Sequence, residues 1–296
     1  MKAAPFAYAR AATVDHALEL LARYASDAEP IAGGQSLVPM MAMRLARPAV
    51  LVDINRLPDL KTLEIGTRQV VMGATVRQRD VERDPVLRRA VPLLGEALRW
   101  VGHAQTRNCG TVGGSLVHAD PSAELPLVAA VLRATLVLGS RTEGERRVAA
   151  EQFFVAPMLT TAGEAECLTT MEWPVWEGDG VAYAFEEVTM RRGDFAMASA
   201  ACQLQLDGSG VCGRAAIGLG AVAGTPLAFP GLAAELVGRR IDARWARDVA
   251  ASAAEQAELG SDPHADAEYR RNLAAVLLRR ALLRAGAAAG TPALAA

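Results

Sequence analysis

"GTVGGSLVHADPSAELP", residues 110–126, places Gly110, Gly113 and Gly114 within five positions and runs straight into His-Ala-Asp-Pro. A glycine turn that opens into a helix is an anion site, because backbone N–H groups converge there and no Cβ holds a ligand away. Thr111 and Ser115 add hydroxyls. Asp120 and Glu124 add carboxylates beyond the turn, with Pro121 extending the chain between them. "PIAGGQSLVPMM", residues 30–41, repeats the pattern earlier, offering the amides of Gly33 to Ser36 and the Ser36 hydroxyl. Neither stretch is a P-loop, since no Gly-Lys-Ser/Thr follows, and neither carries the G-x-G-x-x-G of a Rossmann turn. Two phosphate-sized cradles suit a dinucleotide whose diphosphate is held from both sides. For either stretch alone, an ordinary tight turn is the competing reading.

The chain has 296 residues, half of them apolar, and a formal net charge of −2. That length suggests two domains, and the charge gives no reason to expect nucleic acid or an anionic membrane as partner. Cys109, Cys167, Cys202 and Cys212 form no C-x-x-C pair, so no metal site or four-thiolate cluster is written here, and reduced thiols in a cytoplasm are expected. "MKAAPFAYARAATVDHALELL" is broken by Pro5, Arg10 and Asp15, unlike a signal peptide, and no apolar run is long enough to span a membrane.

The periodicity predicts a helix in "TVDHALELLARYA" capped by Thr13, a strand in "PIAGG", and a helix after Ser36. Further strands are expected in "AVLVDI", "LEIGTRQVVMGATV" and "ECLTTMEWPV". "VLRRAVPLLGEALRWVG" reads as one amphipathic helix, "ELPLVAAVL" as a short one, and "ATLVLGSRTEGERRV" as a hairpin. Composition shifts at "WEGDG", residues 176–180. Beyond it come three alternating strands and two Ala-rich helices, an α+β unit. The expected division is 1–177, 178–290 and a frayed tail at 291–296.

Together, "AGGQSLVPMM…VLVDINRL", "VVMGATV", "TRNCGTVGGSLVHADPSAELP" and "RRGDFAMAS" resemble the FAD-binding medium subunit of the molybdenum hydroxylases. That group includes aerobic carbon monoxide dehydrogenase and the FAD domain of xanthine dehydrogenase. The likeness runs from roughly residue 3 to residue 285. It implies an α+β fold: a PCMH-type, vanillyl-alcohol-oxidase-like FAD domain of two subdomains, then a small C-terminal α+β domain with a three-stranded antiparallel sheet. It implies FAD as cofactor, a molybdopterin-binding large subunit and a [2Fe–2S] small subunit as partners, an arrangement compatible with a dimer of heterotrimers, and an external electron acceptor. Carried over by position, Ala32, Gly33, Gly34, Gln35 and Ser36 form one diphosphate loop, and Thr111, Val112, Gly113, Gly114 and Ser115 the other. Ser115 stands where the family often has Asn or Asp, and Glu124 where it has Asp. Asp120 is a second carboxylate for sugar hydroxyls, Leu168 matches an adenine contact, and Phe195 an aromatic near the isoalloxazine. A family lysine near the flavin is matched by Glu186. No catalytic acid, base or metal ligand is named.

Other residues read more plainly. His118 reads as a half-buried histidine, Cys109 as a small buried thiol, Met40, Met41 and Met43 as core filler, Trp100 and Trp173 as buried anchors, and Arg191-Arg192 as a solvated pair. Arg107-Asn108 either lines an approach for a partner or braces the loop. "EYRRNLAAVLLRRALLRAG" reads as a surface helix or a partner helix. Three functions compete: an electron-transfer flavin subunit, a self-contained flavin oxidase or dehydrogenase, and a docking module in which both glycine stretches are turns.

Overall fold

A computed structural model describes residues 2–287; the frayed tail expected at 291–296 lies outside the described residues. The first layer comprises β1 (Ala7–Arg10), α1 (Val14–Tyr24), β2 (Ala28–Ile31), α2 (Leu37–Ala42) and β3 (Val50–Asp53). Its strands form a parallel sheet in the order β1-β3-β2, with every residue of the central β3 buried. Ala17, Leu18 and Leu21 of α1 pack on that sheet beside Val52 and Ile54. Thr13 caps α1, its hydroxyl accepting from the His16 amide at 3.1 Å. Thr13→Ala is expected to cost about 1 kcal/mol by loss of this cap, read as a lower urea midpoint with unchanged slope.

The second layer runs through β4 (Leu63–Ile65), β5 (Gln69–Gly73), α3 (Gln78–Arg83), α4 (Pro85–Ala90), α5 (Pro92–Leu98), α6 (Ala104–Cys109), α7 (Val112–His118) and α8 (Glu124–Leu132). It continues with β6 (Thr135–Ser140), β7 (Gly144–Ala149), α9 (Ala150–Phe153), β8 (Phe154–Ala156), β9 (Leu159–Thr160) and β10 (Glu166–Pro174). Five of these strands make an antiparallel sheet, β4-β5-β10-β6-β7. Helices α7 and α8 lie against it, with α5 packed on α8, over a core that includes Leu94, Leu116, Leu125, Phe153 and Trp173. The single helix expected over 86–102 is two. Val91 adopts φ −131° and ψ 70°, and Pro92 starts the next helix, because proline disfavours helical geometry in the residue before it.

The third layer contains β11 (Val181–Thr189), β12 (Ala196–Leu206), β13 (Cys212–Gly220), β14 (Leu227–Ala228), α10 (Pro230–Leu236), α11 (Ala243–Gln256) and α12 (Ala267–Ala287). Its antiparallel sheet has four strands, β11-β12-β13-β14, where three were expected. The extra strand is two residues long, too short to show an alternation. One sheet face packs on α11 and α12 through Ala184, Cys202, Leu277 and Leu282. That settles the basic–apolar α12 as a helix whose apolar stripe covers its own sheet. The opposite face of β11 and β12 turns toward the second layer, and Phe185 and Ala201 join that layer's core. Among the described residues no helix is long and apolar enough to cross a membrane.

Candidate functional site

The two glycine stretches touch. A Cβ added to Gly33 would lie 2.5 Å from the Cys109 carbonyl oxygen and 2.9 Å from Gly110 Cα. Gly113 is pressed equally tightly: its added Cβ would meet the Ala74 carbonyl oxygen at 2.6 Å. At Gly114 the obstacle is the Thr111 hydroxyl, at 2.6 Å, which caps α7 by accepting from the Gly114 amide. Gly34 has φ +69°, the left-handed region glycine tolerates best. At Gly33 and Gly113, therefore, the missing side chain also lets one backbone lie against another.

Two side chains clamp the bends together. Asn55, just after β3, donates to the Ala32 carbonyl of the first bend, and Arg77 donates to the Cys109 carbonyl of the second. Arg77 also donates to Asn55 Oδ1 at 2.8 Å. Sequence reasoning did not single out this pair, although Asn55 lies inside the quoted "VLVDINRL".

The bends differ in what they offer a ligand. In the second, the amides of Val112, Gly113 and Ser115 already donate to the carbonyls of Val76, Ala74 and Thr111. In the first, the amides of Gly33, Gly34, Gln35 and Ser36 find no acceptor among the described residues. These open donors edge a cleft of about 790 Å³, within the size range of cofactor sites, about 300–1,000 Å³. The donor set fits a diphosphate, whose oxygens are acceptors only.

All the carried-over residues except Val112 line this cleft: Ala32, Gly33, Gly34, Gln35 and Ser36; Thr111, Gly113, Gly114 and Ser115; Asp120, Glu124, Leu168 and Phe195. Val112 is fully buried in the core beneath it. Ala119, left-handed at φ +49°, ends α7 and turns the chain, and Asp120 accepts from the Ser122 amide at 2.8 Å just ahead of α8. Leu168 sits at a bulge in β10 and is buried. Phe195 is 76% exposed at the cleft mouth, carried by the β11–β12 turn, where Gly193 packs against the His103 ring. Gln78 also lines the cleft, its buried Oε1 without a hydrogen-bond partner.

Several expectations need correcting. Cys109 is exposed, not buried; its carbonyl does the packing. Of Met40, Met41 and Met43 only Met41 is buried, while Met40 lines the cleft and Met43 is exposed. Trp173 is fully buried; Trp100 is partly so, against Phe185 at 6.5 Å between ring centroids. Arg107 braces the loop: it grips Glu82 with Nε and Nη2 at 2.8 and 3.0 Å and donates to the Val101 and Gly102 carbonyls. Glu186 does not face the cleft. It pairs with Arg284 of α12 at 2.8 Å, and strand alternation puts its neighbour Glu187 on the cleft side.

The cleft lining is acidic, with Glu29, Asp120, Glu124, Glu164, Glu166 and Asp194 and no arginine or lysine. Glu166 is neutralised by Arg146, whose hydrogen bonds hold its carboxyl below the usual range. Burial pushes Glu29 up. Burial also pushes Glu124 up to about 7, with a further rise from Asp120 and opposition from its own backbone amide and Arg107. Glu187 is pushed up to about 9 by burial and then by the neighbouring Glu124.

The sequence pattern described as "FAD binding domain in molybdopterin dehydrogenase" matches residues 4–176, and that described as "CO dehydrogenase flavoprotein C-terminal domain" matches 183–285. The chain belongs to the FAD-binding subunits of the molybdopterin dehydrogenases. Its cofactor is FAD, and the enzymes built on this family are oxidoreductases. The chain is 37% identical over 290 residues to the 6-hydroxypseudooxynicotine dehydrogenase complex subunit alpha of Paenarthrobacter nicotinovorans, covering 96% of each. Among solved structures it matches the reconstituted CO dehydrogenase from Oligotropha carboxidovorans with a TM-score of 0.93 at 36% identity, covering 97% of this chain and 99% of that one. It matches quinoline 2-oxidoreductase from Pseudomonas putida 86 with a TM-score of 0.91 at 35% identity, covering 98% and 100%. For this family the cleft between the two bends is the FAD-site candidate.

Proposed function

We propose that this chain is the electron-transfer subunit of a heterotrimeric molybdenum hydroxylase, with its units dividing near residues 177 and 178. In this reading a large subunit oxidises substrate at molybdopterin, a small subunit relays electrons through [2Fe–2S] clusters, and an external acceptor takes them from this subunit. The observation that carries it is the row of unpaired amides from Gly33 to Ser36, set against the second glycine bend in a cleft of cofactor size. Bound FAD supplies storage for two electrons that can leave one at a time.

The protein's own work is binding and orientation. Ala32 to Ser36 hold the diphosphate by backbone donors, and Thr111 to Ser115 close the other side. Asp120 and Glu124 meet sugar hydroxyls, Leu168 packs under the adenine, and Phe195 shields the isoalloxazine edge. No side chain here is required as acid or base. Relatives named for carbon monoxide, quinoline and 6-hydroxypseudooxynicotine match this chain end to end. Such unlike substrates on one scaffold support a substrate pocket on the partner.

Co-expression with its genomic neighbours tests this. The expected outcome is a yellow complex containing molybdopterin and iron–sulfur subunits, in which the flavin is reduced only when all three are present. A lone chain that oxidises substrate on its own flavin would favour the stand-alone oxidase.

A further inference from the structure

Glu124 and Glu187 are the anomaly of this molecule: two carboxyl groups, each under a tenth exposed, one on α8 and one on the sheet that α8 packs against, with no salt bridge to either among the described residues. Their surroundings explain why neither is neutralised by a salt bridge. Glu124 opens α8, and the charges that act on it are Asp120 on the preceding turn, which raises it, and Arg107 on α6, which lowers it. Arg107 is already committed to Glu82. Glu187 lies on β11 opposite Ser199 of β12, which in turn lies opposite Gly220 of β13. Leu127, one helical turn after Glu124, sits over Gly220 and Ser199, so the start of α8 rests on this row of the sheet. On the far face of β11, Arg284 of α12 is held by Glu186 and Glu96. Arg191 on the β11–β12 turn faces Asp194 with both side chains exposed, and His118 ends α7 on the cleft wall. Glu187 Oε2 is buried without a partner.

Burial without a cation favours the neutral acid at both sites, most strongly at Glu187, whose Oε2 has no donor, while Glu124 keeps only its own backbone amide. Two of them side by side cannot both ionise cheaply, and their protons leave in two linked steps. Glu124 is the member that faces the cleft; Glu187 stands behind it.

We propose that Glu124 and Glu187 form a proton-holding pair beneath the FAD site, so that the cleft presents Glu124 to FAD as a neutral hydrogen-bond donor and the cofactor binds more tightly to the protonated pair. This rests on the FAD-site reading above. The cleft supports it: a diphosphate entering a lining rich in acids and free of arginine and lysine gains when one of those acids is neutral. Glu187 acts through Glu124 and is a positioning residue.

The sign follows from both groups being raised above their unfolded value of 4.5. The folded chain keeps protons the unfolded chain has released, so the pair's contribution to stability is whole below that value. It is lost as pH rises through neutrality for Glu124 and through the alkaline range for Glu187.

The test uses the full chain stripped of FAD and its Glu124→Gln and Glu187→Gln variants. Infrared spectra should show protonated-carboxyl absorption in the wild type near neutral pH, diminished in each variant. FAD titration should give a dissociation constant that rises about fivefold from about pH 6 to about pH 8 in the wild type and stays flat in Glu124→Gln. Glu187→Gln should bind FAD within about twofold of wild type at about pH 6, since the amide imitates the protonated acid, and should lose less thermal stability than wild type toward about pH 9. No protonated-carboxyl band, or a Glu187→Gln melting profile parallel to wild type, would each overturn the pair. An FAD affinity that is the same in wild type and both variants at every pH, with the infrared band and the melting difference as expected, would count instead against the cleft as the FAD site.

Discussion

Replacing Gly33 with alanine yields a folded chain that emerges from purification nearly colourless. The added methyl lands 2.5 Å from the Cys109 carbonyl oxygen and 2.9 Å from Gly110 Cα. Neither is a flexible side-chain end, so the bends must separate. Overpacking of this kind costs about 1–3 kcal/mol, and the displacement falls on the open amides and on the Asn55–Arg77 clamp that holds the bends in register. If that strain is carried into the bound state, FAD affinity drops by about tenfold to a hundredfold. The flavin-to-protein absorbance ratio measures it. Gly231→Ala is the control: nothing lies within 4 Å of its added methyl in the first turn of α10, so flavin content and melting temperature should hold. A Gly33→Ala protein with full flavin occupancy would refute the account of why the bends are built from glycine.

The second large effect is expected far from the cleft. Phe185 leaves the C-terminal sheet and is fully buried in the core of the FAD-binding part, beside Trp100. Its backbone carbonyl and Glu96 both accept from Arg284, which fastens α12 to α5 across the same junction. Phe185→Ala removes a fully buried aromatic side chain that bridges the two parts and should cost about 3–5 kcal/mol. At this chain length that corresponds to a melting temperature lower by about 10 °C. Scanning calorimetry should resolve one broadened or two separate transitions where the wild type gives one, with the FAD-binding part losing cofactor first. A single transition within about 2 °C of wild type would show that the junction is held elsewhere.

Much of the architecture was legible because it is local. Thr13 followed by Val14, Ala17, Leu18 and Leu21 writes a capped amphipathic helix whatever surrounds it, and α1 is that helix. The alternation of β11 to β13 and the unbroken apolar run of β3 are equally self-sufficient. The break at Val91 could have been read from Pro92, but the apolar period on both sides concealed it. The site was legible as a pair of glycine stretches because two such motifs at one separation are specific to the family.

Other features rest on partners distant in the chain. Whether Glu186 or Glu187 faces the cleft side is a question of strand register, and an offset of one residue reverses the answer. Arg284, from the last helix, settles it by pairing with Glu186. Cys109 looked like a buried thiol because a small apolar residue beside a loop usually is one; here its carbonyl is the packed atom and its side chain is exposed.

Residue order alone was enough to establish α1, β3, β11 to β13, the two glycine bends and the family, because each is encoded in short-range spacing. Folding in three dimensions was needed to show what presses on those glycines, which bend keeps its amides open, and that Glu124 and Glu187 are both buried. Those are contacts between backbones and side chains far apart in the chain, and no local pattern records which atoms will fill the space beside a missing Cβ.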